Sequence, residues 1–220
     1  MSEAMRRRRE LMRWAATLGA AGASGWMSRA LAAGDTPPTP GINRLEGSAT
    51  VNGKPAKVGM PVNMGDRVVT GPQSQAVVVM RSDAFLMRAQ TTVEVRGRDG
   101  TLTDMAVAGG KVLTVFSKKP VAIKAASTSI GIRGTGAYIE VLPQEVYFCL
   151  CYGEAVLEAP GIAPRTVKTK HHEEPLLVRE GRVVPGPFRD HRDEELVMLE
   201  ALVGREPPFM KGGAYPANRY

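Results

Sequence analysis

From Gly41 onward the apolar residues fall in short runs cut by glycine, proline, asparagine or aspartate, and no helical period appears until close to the C-terminus. This pattern predicts strands. Asn52-Gly53 separates Ala49-Thr-Val51 from Lys54-Pro-Ala56 and predicts a hairpin with a type I′ turn. Arg67 to Thr70, Ala76 to Met80, Ala84 to Arg88, Thr92 to Val95, Lys111 to Phe116 and Val121 to Lys124 read as further strands, with Gly109-Gly110 opening one of them. The expected fold is all-β: a short irregular β-solenoid or two-sheet roll of about a dozen strands, a sandwich fitting as well, with one C-terminal α-helix. That helix is predicted after Asp190, which can cap it. Asp193, Glu194 and Glu195 form an acidic first turn, Leu196, Leu199, Leu202 and Val203 one apolar face, and Gly204 the stop. Its expected place is at one end of the β-core, over exposed strand edges.

The chemistry-bearing residues concentrate between Ser129 and His191. Gly131, Gly134 and Gly136 have spacings suited to a sharp backbone reversal, because glycine reaches positive φ without a Cβ clash. Two strands follow, Ala137 to Val141 and Glu145 to Tyr152. Cys149 and Cys151 lie two apart on the second, so a pleated strand points both thiols to one face. His171, His172 and His191 are the only histidines.

Charge changes the picture only at the N-terminus. Of the net +7, residues 1–32 contribute six arginines against Glu3 and Glu10, or +4, leaving +3 for the remaining chain. No run of Lys and Arg interleaved with aromatics marks a nucleic-acid surface, so no nucleic-acid partner is expected. The first 33 residues read as an export signal. Arg8-Arg9-Glu-Leu-Met-Arg13 matches the twin-arginine pattern, a mildly apolar stretch follows to Met27, and Ser28 to Ala33 offers small residues for cleavage. The stretch is too short and glycine-rich for a permanent span, which takes about 20 apolar residues. The expected destination is therefore the periplasm or the exterior, with no stable membrane span after cleavage. The chain divides into a signal peptide (1–33), a proline-rich linker (34–41), a β domain (42–159), a β extension with the helix (160–209) and a tail (210–220).

Gly65-Asp-Arg-Val-Val-Thr-Gly71, Ser74 to Met80, Asp83, Thr91 to Val95, Gly110-Lys-Val112, Val121-Ala-Ile123, Gly134 to Val141 and Tyr152 to Leu157 follow one another in an order and spacing that resembles the FecR-like domain family. The resemblance runs from Gly41 to Ala159, about half the chain. It implies an all-β, solenoid-like periplasmic domain used for sensing or interaction, with an envelope protein or small ligand as partner and no catalytic residues. Family regulators of sigma factors carry a cytoplasmic helical domain and a membrane span before this module. Here the export signal stands there instead, which speaks against a direct anti-sigma role. Asp83-Ala84 also replaces the usual Asp-Gly.

The residues themselves leave three readings of the cysteines open. Thiolate and imidazole suit zinc or copper, and Cys149 and Cys151 with His171 or His172 would make a metal or redox site, at most one of the adjacent histidines joining. A disulfide is the second reading, although Cα atoms two apart on a regular strand stand about 6.6 Å from each other, at the edge of what a bridge tolerates. Two small side chains packed in a core are the third. Met60 and Met64 are weaker candidates for copper and better read as apolar filling. Ile130 to Gly136 lacks the Lys-Ser/Thr of a phosphate loop. No serine stands in a nucleophile elbow, so the expectation is a protein that binds and does not catalyse.

Overall fold

The computed structural model describes residues 40–210. The export signal with Arg8 and Arg9, residues 34–39 of the linker and residues 211–220 lie outside the described residues. Fourteen strands form one open, hydrogen-bonded sheet, with one α-helix among the described residues. This is the all-β class expected from the pattern.

Three long strands turn that sheet into two layers. They are β8 (Thr101–Val115), β10 (Thr128–Val141) and β11 (Glu145–Ala159), of 15, 14 and 15 residues. Each runs from one layer into the other. In the first layer, the halves Gly110–Val115, Gly136–Val141 and Glu145–Tyr152 pair with one another. They are flanked by β1 (Gly41–Glu46), β5 (Gln75–Met80) and β6 (Asp83–Met87) on one side, and by β13 (Leu176–Arg179) and β14 (Arg182–Pro185) on the other. The second layer uses the other halves. There β8 pairs with β7 (Thr92–Arg98) and, in parallel, with β9 (Pro120–Ala125), while β11 pairs with β12 (Ile162–Thr169). The hairpin of β2 (Ala49–Val51) and β3 (Lys54–Pro55) joins this layer through β4 (Arg67–Thr70). Asn52 and Gly53 both have positive φ, 51° and 79°, as a type I′ turn requires.

The sequence pattern broke β8, β10 and β11 into shorter pieces because glycine reads as punctuation. Gly110, Gly134 and Gly153 do take positive φ (89°, 64° and 99°), but inside continuous strands, where they bend the chain from layer to layer. The reversal expected of Gly131, Gly134 and Gly136 is thus a bend within β10, with its register shifts between Arg133 and Ala137. Only Gly134 of the three takes positive φ.

The main core lies between the layers. Phe85, Val112, Ile139, Phe148 and Leu176 of the first meet Val93, Met105, Ile123, Ile130 and Leu157 of the second. Met60 and Met64 pack against this core as partly buried filling. A second core forms on the outer face of the first layer, where Val77, Val79, Leu86, Leu113, Val115, Tyr138, Tyr147, Cys149 and Cys151 are buried. Leu196, Met198, Leu199 and Leu202 of helix α1 (Asp193–Leu202) lie over them. The helix therefore covers a sheet face, not the strand edges first expected. Asp190 does not cap it: helix geometry starts after Arg192, whose backbone N–H donates to the Glu195 carboxylate at 3.0 Å. The Asp190 carboxylate accepts instead from Lys111, at 2.7 Å. At the other end the expected stop holds, Gly204 having φ 73° while its N–H bonds back to the Ala201 carbonyl at 3.2 Å.

The glycines in β10 separate by a simple substitution test. A Cβ on Gly136 would sit 2.5 Å from the Tyr152 ring, whereas one on Gly131 meets nothing nearer than the Val156 carbonyl oxygen at 3.9 Å. Gly136→Ala is expected to lose about 1–3 kcal/mol, and Gly131→Ala to stay within about 0.5 kcal/mol of the parent. Chemical denaturation of the two variants checks this.

Candidate metal centre

The sulfurs of Cys149 and Cys151 enter the second core because the two residues share the outer face of β11. Both side chains are fully buried and both are free thiols. The disulfide reading does not describe this geometry. Over them stand two imidazoles from separate loops. His172 lies in the turn after β12 with a left-handed backbone (φ 46°), a conformation costing a non-glycine residue about 1–2 kcal/mol. Its N–H donates to the Cys151 carbonyl at 3.0 Å, which fixes the turn to β11. His191 comes from the segment leading into α1, directly after Asp190, another left-handed residue at φ 46°. Its ring stacks on Tyr138, with centroids 4.5 Å apart and planes 20° from parallel, and packs against Phe188 at 4.5 Å.

Hydrogen bonds assign the ring nitrogens. His191 Nδ1 faces the Arg189 carbonyl oxygen at 2.5 Å, so it donates and leaves a lone pair on Nε2. His172 Nε2 faces Asp193 Oδ1 at 3.0 Å, so it donates and leaves a lone pair on Nδ1. Those two acceptor atoms, His191 Nε2 and His172 Nδ1, point at each other across 3.1 Å. Cys149 Sγ stands 3.5 Å from the same His172 Nδ1. Cys149, Cys151, His172 and His191 form one group whose ligand atoms, one from each residue, all lie within 4.8 Å of one another.

Two lone pairs directed into the same buried space repel unless something positive lies between them. A proton is one solution. The Cys151 thiol, followed by His172 and His191, holds Cys149 well below the ordinary thiol range against the opposing effect of burial. Burial and the Cys149 charge push Cys151 up. Burial opposes charge on His172, but the Asp193 carboxylate and the Cys149 sulfur outweigh it and raise the imidazole to about 8. A metal cation is the other solution. Sulfur and nitrogen ligands about 2.0–2.3 Å from one ion stand roughly 3.3–3.8 Å from each other in a tetrahedron. The observed 3.1 and 3.5 Å separations lie close to those edges. The outer partners also suit a metal: a carboxylate on one histidine and a backbone carbonyl on the other are what orient imidazole ligands.

Of the residues singled out in the sequence, Cys149, Cys151 and His172 come together. His171 does not join them: its Nε2 donates to Asp193 at 2.9 Å and its ring packs on Phe209 at 4.5 Å. His171, His172 and Asp193 form a second close group, in which both histidine N–H groups are already directed at the carboxylate. Sequence reasoning passed over His191 as a ligand and read Asp193 only as a first-turn acid. The signal that could have found His191 is its place just ahead of the one helix whose apolar face must dock on the cysteine strand.

No protein-family model matches the chain, and no curated protein matches it either. Two crystal structures of a candidate anti-sigma factor from Parabacteroides distasonis ATCC 8503 are similar to part of it, with TM-scores of 0.47 and 0.48 and 9% identity. The similarity covers 55% of this chain and 58% of that one, so this chain spans less than two thirds of that protein's length.

The burial of the two sulfurs has a direct consequence. A thiol reagent should titrate two groups per chain in denaturant, and react with the native protein more than about tenfold slower than with a free thiol. Timed reagent uptake in the two conditions measures the ratio.

Proposed function

We propose that this protein is an exported, non-enzymatic, FecR-like β module of the cell envelope, built around a closed zinc centre formed by Cys149, Cys151, His172 and His191. The observation that carries the metal is the approach of His172 Nδ1 and His191 Nε2 to 3.1 Å beside two fully buried thiols. Nitrogen and sulfur donors in a four-ligand tetrahedron suit zinc, with Cu(I) the competing ion. Four protein ligands leave no coordination position for a substrate or an activated water, which supports binding over catalysis. Burial of both sulfurs likewise disfavours a thiol–disulfide exchange role, which needs an accessible thiolate. Export is supported by the order of Arg8-Arg9, apolar stretch and small-residue cleavage site. The FecR-like reading is supported by the motif order from Gly65 to Leu157 and by the all-β fold, and it assigns the module to contact with an envelope protein or small ligand.

Elemental analysis of protein purified without chelators is expected to give one zinc per chain. Cobalt substitution is expected to give the visible absorption of a tetrahedral site together with a thiolate charge-transfer band. Protein that neither retains nor takes up a metal would remove the proposal. Asp193→Asn should weaken zinc binding about 10–100-fold, His191→Ala by more, and His171→Ala by less than either, as read by chelator competition. In cells, Arg8→Lys with Arg9→Lys should leave an uncleaved product in the cytoplasm, visible by fractionation.

A further inference from the structure

We infer that the metal acts as a latch: its occupancy decides how firmly residues 186–210 stay closed over the outer face of the first layer. This rests on the zinc reading above. The ligands come from two sides of a single joint. Cys149 and Cys151 belong to β11, and His172 is tied to β11 by its backbone bond to the Cys151 carbonyl. His191 alone comes from the covering segment, just ahead of α1. An ion held by all four therefore pins the cover to the sheet, and opening the cover must remove one ligand from the ion.

The cover depends on its docking for order. A 10-residue helix is too short to persist alone in water, where isolated helices under about 12–15 residues are marginal. Its order comes from docking Leu196, Met198, Leu199 and Leu202 on the sheet. Tyr152 donates to Glu200 within the core and Phe209 packs edge-on against Tyr152 at 6.0 Å, and ion pairs supply further ties. Arg88 pairs with Glu195 at 2.9 Å, Lys111 with Asp190 at 2.7 Å, and Arg189 with Glu145 at 3.1 Å. Of these, Lys111–Asp190 is exposed and individually weak, while the other two are largely buried. The joint carries its strain at the same place: His172 and Asp190 are both left-handed, and they present the two imidazoles. In the metal-free protein a proton must occupy the space where His172 Nδ1, His191 Nε2 and Cys149 Sγ meet; with the ion bound these atoms share it. The sign of the coupling follows. Metal favours the closed cover, and by reciprocity a closed cover favours metal.

The experiment is hydrogen–deuterium exchange on the purified full chain, with zinc sulfate or with a zinc chelator, and with bound zinc counted in the same samples. A ligand present at 100 times its dissociation constant suppresses an opening by at most about 100-fold, the limit reached when the open form no longer binds it. Amides of Glu195 to Val203 should therefore exchange up to about 100-fold faster without zinc. Amides of Val112 to Val115 and Ile139 to Val141, in strands paired on both sides, should not change. In His191→Gln, zinc should still bind through Cys149, Cys151 and His172, more weakly, while the exchange of the helix becomes insensitive to it. Stoichiometric zinc with less than about a threefold change across the helix would overturn the latch and leave the zinc centre standing. No bound zinc would overturn both. Equal acceleration of every strand on zinc removal would also overturn the latch, because the metal would then hold the whole fold and not the cover.

Discussion

The first layer of this protein is apolar on both faces, and the rest of the structure answers to that. β5 and β6, with the paired halves of β8, β10 and β11, turn one set of side chains to the second layer and the other set outward. A solvated outer face carrying Val77, Val79, Leu86, Leu113 and Val115 would expose a contiguous apolar surface. The chain covers it with its own C-terminal segment. Each large side chain taken fully out of water contributes roughly 1.5–3 kcal/mol, an upper range because unfolded chains are not fully extended. Leu196 and Leu199, both fully buried, are the centre of that contact.

The covering segment brings polar groups into the second core, and their pairing explains its geometry. Tyr138 donates to Glu140 at 2.9 Å, Tyr152 donates to Glu200, and Arg205 pairs with the same Glu200. Burial is the largest cause pushing the Tyr138 and Tyr152 hydroxyls far above the ordinary tyrosine range, and the neighbouring glutamates add to it, so both remain donors. A buried polar group without a partner costs about 1–3 kcal/mol, a cost that the glutamate partners of the Tyr138 and Tyr152 hydroxyls avoid. The members of the Cys149, Cys151, His172 and His191 cluster are all able to face inward as donors of electron pairs. Protons can satisfy it through weak thiol donors or by charging an imidazole within the core; a single cation would satisfy all four at once.

The two-layer arrangement also explains why the site lies where it does. β11 serves both layers, so its first half is buried on both faces and its second half pairs with β12. The turn after β12 returns to β11 at Cys151, and the segment after β14 crosses back over the same strand. Two stretches of chain thus converge above two cysteines. Rigid strands hold the sulfurs, and the imidazoles come from loops strained enough to need that support.

The all-β class, the hairpin at Asn52-Gly53, the helix and its stop at Gly204, and the shared face of Cys149 and Cys151 were all determined by local sequence. Each depends on the chemistry of adjacent residues: φ at a glycine, a period of two or 3.6, the alternation of a pleat. What lay beyond local rules was decided only in three dimensions. Gly110, Gly134 and Gly153 could end strands or bend them, and the pairing partners on both sides made them bends. The helix could close an edge or a face, and the two-sided burial of the first layer made it a face. His171 and His172 are equivalent on paper, yet the left-handed turn at His172 sends one ring to the sulfurs while the other goes to Asp193 and Phe209. His191, 40 residues beyond Cys151, reaches the same point only because α1 docks where it does. Local sequence governs the conformations open to each segment; which one each segment takes, and which side chains then meet, is governed by what the other segments must bury.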